Sequence, residues 1–294
     1  MNRRSFITAA VASVVVAGSL GLIGCGDNPG GAASQGSSPG ATGSDDGVFT
    51  VGFDQAYPPY GFVGDDGEYT GFDLELAGEL ADRYGWELKL EPIDWDAKDT
   101  LLNSGAIDCI WNGFTMEGRE DDYTFSEPYM LNAQVVVVRA DSGIESLDDL
   151  AGKTVITQAD SAAEAVLADD RSDLAASFAS LETIGEYNTA FMQLEAGAVD
   201  AVACDLSIAQ YQLAGKDAFL QLDEALSTEH YAVGFKKGDE QRAQQVTDTL
   251  RDMTQDGFVQ KLCDKYAVDC VLIVQKLCDK YAVYGVSYEN WQIK

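Results

Sequence analysis

The sequence is short of positive charge. Nineteen lysines and arginines face 49 aspartates and glutamates, giving a formal net charge of −30. A surface so acidic repels phosphate backbones and anionic headgroups, which excludes nucleic acid and direct adhesion to anionic lipid. Histidine is almost absent, with His230 the single one. The six cysteines include no C-x-x-C pair and no cluster with histidine, so no metal site and no cofactor is expected. No nucleophile–base pair is visible either, which argues against covalent or acid–base catalysis. After residue 235 there is no membrane-spanning run and no signalling domain.

What is present begins with an export segment. Arg3 and Arg4 form a positive head, and Phe6 to Ile23 is apolar or small and uncharged, too short for a membrane span. Residues 1–24 therefore read as a signal peptide. Arg3-Arg4-Ser5-Phe6-Ile7 resembles a twin-arginine motif. Leu22-Ile23-Gly24-Cys25 resembles a bacterial lipobox, which implies cleavage before Cys25 and lipidation of that cysteine. The alternative is an ordinary signal peptide with an incidental cysteine. Residues 25–47 are rich in Gly, Ser, Ala and Pro, cannot bury enough surface to offset their ordering entropy, and read as a flexible tether.

From Val48 the pattern is α/β. Phe49 to Phe53 alternates as a strand, and Pro58-Pro59 forces an extended loop after it. Gly64-Asp65-Asp66-Gly67 reads as a hairpin turn. Leu74, Ala77, Leu80, Ala81 and Tyr84 recur at helical spacing up to Gly85. Trp86 to Leu90 is a second strand, Asp96 to Ser104 a short helix, and Ile107 to Trp111 a third strand, the order of a parallel sheet with right-handed crossovers. The unit recurs: Leu102 to Asp108 parallels Leu194 to Asp200, each a helix end, a glycine and a buried strand. The first copy runs into Asn112-Gly113 and the second into Cys204-Asp205. Two lobes thus present polar groups at strand C-terminal ends, where open α/β sheets bind ligands.

Between the copies, Gln134 to Arg139 reads as one strand leaving the first lobe. Lys153 to Thr157 opens another, and Ser161 sits at a helix start, as a cap or an anion contact. Tyr231 to Phe235 reads as a further strand and Asp239 to Phe258 as a long amphipathic helix. Cys109 and Cys204 lie in strand-like apolar runs and read as buried thiols. Val259 to Val268 recurs identically at Val274 to Val283, a tandem duplication that takes in Cys263 and Cys278, with Cys270 between.

With these pieces placed, the chain from Val48 resembles the extracellular solute-binding proteins of polar amino-acid ABC transporters, family 3. VGFDQAYPPY (51–60), TGFDLELA (70–77), GAIDCIWNGFTMEGRE (105–120), FSEPY (125–129) and GAVDAVACD (197–205) carry the resemblance. It implies a two-lobed, type II periplasmic-binding-protein-like fold, with two parallel-sheet lobes joined by two crossover strands. Lobe 1 would comprise 48–136 and 232–294, lobe 2 137–231. Together with the lipobox at Cys25, it implies a lipid-anchored, extracytoplasmic protein that takes a polar amino acid to a permease and its ATPase. By the same resemblance Arg119 grips the ligand α-carboxylate, helped by the Gly113 backbone, the Thr115 hydroxyl and Ser161. Asp205 takes the α-ammonium, Tyr57 and Trp95 stack on the ligand body, and Asp54 and Asp73 line its side-chain end. The stretch from Thr115 to Arg119 is one residue shorter than the family's common spacing.

The residues agree with this logic. A zwitterion needs a cation and an anion a few ångströms apart, and Arg119 and Asp205 supply one from each lobe. The residue-level alternatives are a surface ion pair for Arg119 with Glu117, Glu120, Asp121 or Asp122, and a helix cap for Asp205. The function-level alternatives are a dehydratase-like enzyme on the same fold and a sensory protein acting through a separate partner.

Overall fold

The computed structural model describes residues 47–266. The signal segment 1–24, Cys25, the tether up to residue 46, Cys270, Cys278 and the second repeat copy lie outside the described residues.

The chain opens with β1 (Val48–Phe53) and a small ribbon of β2 (Ala56–Tyr57), β3 (Gly61–Val63) and β4 (Tyr69–Thr70). Helix α1 (Phe72–Tyr84), β5 (Glu87–Pro92), α2 (Lys98–Ser104), β6 (Cys109–Ile110) and β7 (Tyr123–Phe125) follow. Then come β8 (Met130–Arg139), β9 (Thr154–Gln158), α3 (Ala162–Ala168), α4 (Ser172–Ala175), β10 (Ser180–Ile184) and α5 (Tyr187–Glu195). The remainder is β11 (Ala201–Asp205), α6 (Leu206–Leu213), β12 (Phe219–Gln221), β13 (Ser227–Tyr231), β14 (Gly234–Lys236) and α7 (Glu240–Gln255).

Helix α1 shows why the local reading works. Leu74, Leu76, Ala77, Leu80 and Ala81 are buried on one face, each leucine contributing about 1.5–3 kcal/mol of burial. Asp73 and Glu75 sit in the first turn, where the helix dipole favours negative charge. Gly85 ends the helix in a left-handed conformation at φ 66°. Tyr84, expected on the buried face, is 40% exposed and stacks on Trp86 with ring centroids 4.4 Å apart. Gly71 precedes the helix at φ 141°, where a Cβ would stand 2.1 Å from the Tyr60 carbonyl oxygen. Only glycine lets α1 approach the Tyr57–Tyr60 segment this closely.

Two larger sheets form. The first has the order β5-β1-β6-β14-β7 and the second β10-β9-β11-β8-β12, with β13 also paired to β8. In each, three neighbouring strands pair in parallel (β5, β1, β6 and β10, β9, β11), and the remaining pairings are antiparallel because β14 and β8 run against the rest. Both sheets are therefore mixed rather than purely parallel. The chain enters the second sheet at β8 and returns to the first at β14, each running antiparallel to its neighbours, so neither passage needs a helical crossover.

Strand β8 departs furthest from the sequence reading. It is ten residues long and lies wholly in the second sheet, pairing with β13 over Met130–Gln134 and with β12 over Val137–Arg139. The boundary read at 136/137 thus falls inside a strand of the second sheet. The chain passes between sheets at 126–129. It returns at 232–233, so Tyr231 to Phe235 is not one strand but the end of β13 and the start of β14. Strand three, read as Ile107 to Trp111, forms a ladder only over Cys109–Ile110. Strand β10 escapes a pattern reading because it is a half-exposed edge strand of mixed polarity.

The internal repeat is structural. Asp108 and Asp200 occupy equivalent places: each accepts from the backbone N–H of a strand in its own sheet, Thr50 at 2.7 Å and Thr154 at 2.9 Å. Each also donates its own N–H to that residue's carbonyl. In the first copy of the C-terminal duplication, Val259, Leu262, Cys263 and Tyr266 are buried in the core that holds α1. Cys109, Cys204 and Cys263 are free and buried, and burial raises all three thiol pKa values.

Candidate functional site

The C-terminal ends of β1, β6, β9 and β11 converge. After β6 the chain turns at Gly113, whose φ is 58° and whose missing side chain leaves room for Tyr57 and Tyr231; a Cβ would stand 3.0 and 3.1 Å from their rings. The Gly113 N–H donates to Asp73 Oδ2 at 2.6 Å. That amide is committed inward, so Gly113 shapes the hollow by its lack of a side chain rather than by offering a donor to it.

Arg119 reaches the hollow despite the short spacing. Its guanidinium lies 4.9 Å from the Phe114 ring centre and donates to the carbonyls of Thr115 at 3.0 Å and Asp160 at 3.3 Å. Among the described residues it makes no ion pair, so the surface pairing with Glu117, Glu120, Asp121 or Asp122 does not occur. Thr115 is buried, and its hydroxyl donates to Glu229 Oε1 at 2.8 Å.

The second sheet supplies the opposite wall. Ser161 caps α3, accepting from the Glu164 N–H at 3.2 Å, so its capping role is real. Asp205 ends β11 and is the residue before α6, but its side chain makes no capping bond. Instead Oδ1 accepts from Asn132 at 2.9 Å, Gln134 at 2.8 Å and the Tyr231 hydroxyl at 2.8 Å. Burial raises its pKa.

One hollow is lined by Tyr57, Trp95, Gly113, Thr115 and Arg119 on one side and by Gln158, Ser161 and Asp205 on the other. Arg119 and Asp205 therefore share a cavity. Its enclosed space is about 10 Å³, room for about one water, so a larger guest requires the walls to part. Beside it opens a pocket of about 350 Å³ lined by Asp94, Trp95, Asp96 and Glu186 among others.

Two of the expected residues stand elsewhere. Asp54 forms the wall of an adjoining pocket with Asp94 and Glu186. It is buried and accepts from the Ala56 N–H and from Gln158 Nε2, each at 2.8 Å, and desolvation raises its pKa. Asp73 is not on the wall. It is fully buried, bonded to Gly113 and to the Tyr129 hydroxyl at 2.7 Å, and burial pushes its pKa up to about 7. Its place in the first turn of α1 turns it into the core rather than the cleft.

The sequence reading missed several groups here. Lys98 is buried and ion-paired to Asp160, whose φ of 60° turns it toward α2 from the other sheet. Gln158 bridges Asp54 and the Gly185 carbonyl across the hollow. Glu229 lies on β13, 2% exposed, with its pKa pushed up to about 8 by burial and by Asp205. A usable signal existed in β8: Asn132 and Gln134 interrupt an otherwise apolar strand on one face, and buried amides need partners.

Residues 49–269 match the family described as bacterial extracellular solute-binding proteins, family 3. The L-cystine-binding protein TcyJ of Escherichia coli is 33% identical over 225 residues, 75% of this chain and 82% of that protein. An ABC uptake transporter substrate binding protein from Streptococcus pneumoniae with bound histidine has a TM-score of 0.72 at 32% identity, covering 75% of this chain and 92% of that one. An ancestral amino acid-binding protein described as a precursor of cyclohexadienyl dehydratase has a TM-score of 0.68 at 29% identity, covering 75% and 95%. The two lobes are those of the type II periplasmic amino-acid-binding fold.

Proposed function

Since the chain belongs to the bacterial extracellular solute-binding proteins, family 3, we propose that it is the lipid-anchored binding component of an ABC importer. It captures a polar amino acid between its lobes and delivers it to a membrane permease driven by an ATPase. The observation that carries this reading is that Arg119 and Asp205, from different sheets, line one hollow. Arg119 takes the α-carboxylate with help from Ser161, and Asp205 takes the α-ammonium. Tyr57 and Trp95 pack on the ligand body. The side chain extends past Asp54 toward Asp94 and Glu186, which favours a cationic or amide end. Closure is held by Lys98 with Asp160 and by Gln158 with Asp54.

Calorimetric titration against the twenty amino acids, cystine and ornithine tests the reading. One polar amino acid with a cationic or amide end is expected to bind with a Kd of micromolar or tighter, and glutamate and aspartate weakly. Folded protein giving no heat with any of them overturns the reading. A dehydratase-type activity is the second reading, favoured by the proton that Glu229 holds at neutral pH in the buried carboxyl pair with Asp205. It would appear in the same experiment, with small cyclic acids, as heat that continues after saturation.

The anchor is tested separately. Cys25→Ser is expected to move the exported protein from the membrane fraction to the soluble one. A variant that stays with the membrane removes the lipid from the account.

A further inference from the structure

Asp205 does not stand alone beneath the hollow. Asn132 Nδ2 donates to Asp205 Oδ1 at 2.9 Å and to Glu229 Oε1 at 2.8 Å. Gln134 Nε2 donates to the same two oxygens, each at 2.8 Å. Two buried carboxyls thus share two neutral amides, with Thr115 completing one and Tyr231 the other. Neither makes an ion pair among the described residues. Gln134 is fully buried, and its Oε1 has no hydrogen-bond partner. Two acids and an unfilled acceptor, supplied only with neutral donors, form a site that lacks a cation.

We propose that Glu229 completes the ammonium site with Asp205, and that ligand uptake drives a proton off this carboxyl pair. The inference rests on the amino-acid reading above. An arriving ammonium supplies the positive charge that lets both carboxyls ionise together. The proton leaves to solvent as the ligand binds.

The other charged and titratable groups around Glu229 do not replace this role. Tyr57 and Tyr231 are buried phenols whose pKa values burial raises well above the usual range, so they stay neutral. Arg119 lies on the hollow's wall, bonded to backbone carbonyls. His230, next in sequence, bonds Glu117 at 2.7 Å, and adjacent residues of a strand point to opposite faces.

The direction follows from the raised acid. Below a pH of about 8 Glu229 holds its proton in the empty site, so binding there must expel it and affinity falls as pH falls. Titrations of the full protein with its tightest amino acid, at pH 6 and pH 8, are expected to differ about tenfold or more in Kd, since one expelled proton gives about a decade per pH unit. Repeating them at pH 7 in phosphate and in Tris, whose ionisation heats differ, is expected to show up to one proton released per ligand. In Glu229→Gln the release is expected to vanish and Kd to be nearly flat from pH 6 to 8. Binding without proton release in the unmodified protein overturns the inference and leaves the amino-acid reading standing. The same release persisting in Glu229→Gln also overturns it. No binding at any pH overturns the amino-acid reading itself.

Discussion

Arg119→Ala is expected to weaken amino-acid binding by about 30-fold to a few thousand-fold, because it strips one partner from a desolvated charge pair worth about 2–5 kcal/mol. The melting temperature should hardly move. Among the described residues the guanidinium bonds two backbone carbonyls, packs on Phe114 and pairs with no carboxylate. Arg119→Lys sharpens the test. It keeps the charge and loses the planar fork, so it should recover only part of the affinity. Calorimetry on the three proteins, with a thermal melt as the control, reads both effects. An alanine variant that binds within threefold of the parent would place the carboxylate grip elsewhere, with Ser161 and the start of α3 the next group to test.

The parts of this site that the sequence disclosed are those that follow from local rules. The helix ends at Gly85 and Gly105, the buried strand before Asn112-Gly113, and the matching copy before Asp205 all follow from spacing and backbone conformation. So did the meeting of Arg119 with Asp205, since both follow strands that end at the same kind of edge. What escaped is what depends on non-local pairing. QVVVVR reads as a strand in any context, and nothing in it says that Met130 to Arg139 joins the second sheet through β11, β12 and β13. Asp73 is expected at the ligand's side-chain end only by the family resemblance. Only the close approach permitted by Gly71 shows that it turns inward to hold Gly113. Glu229 had no distinguishing neighbours in sequence; its meaning comes from Asn132, Gln134 and Asp205, which lie 97, 95 and 24 positions away.

That buried acid pair also makes function and stability pull in opposite directions, and Asp205→Asn exposes the conflict. The asparagine Oδ1 can still accept the bonds from Asn132, Gln134 and Tyr231, so packing is kept while the charge is lost. Binding is expected to fall by about 30-fold or more for the same reason as at Arg119. Stability should rise. Burial lifts Asp205 above its ordinary 3.8 and Glu229 from 4.5 to about 8. Between those limits the unfolded chain has already lost protons that the folded chain still holds, so the unfolded state binds fewer protons and stability drops as pH climbs. Removing one acid removes its share of that loss and eases ionisation of the other. The variant should therefore melt a few degrees above the parent at pH 8, about 2–4 °C for each kcal/mol relieved. The gap should narrow toward pH 5, where the parent's pair recovers its protons. A variant that binds poorly and also melts lower at pH 8 would mean that the Asp205 charge is already balanced inside the fold, and the ammonium would then have no vacancy to fill.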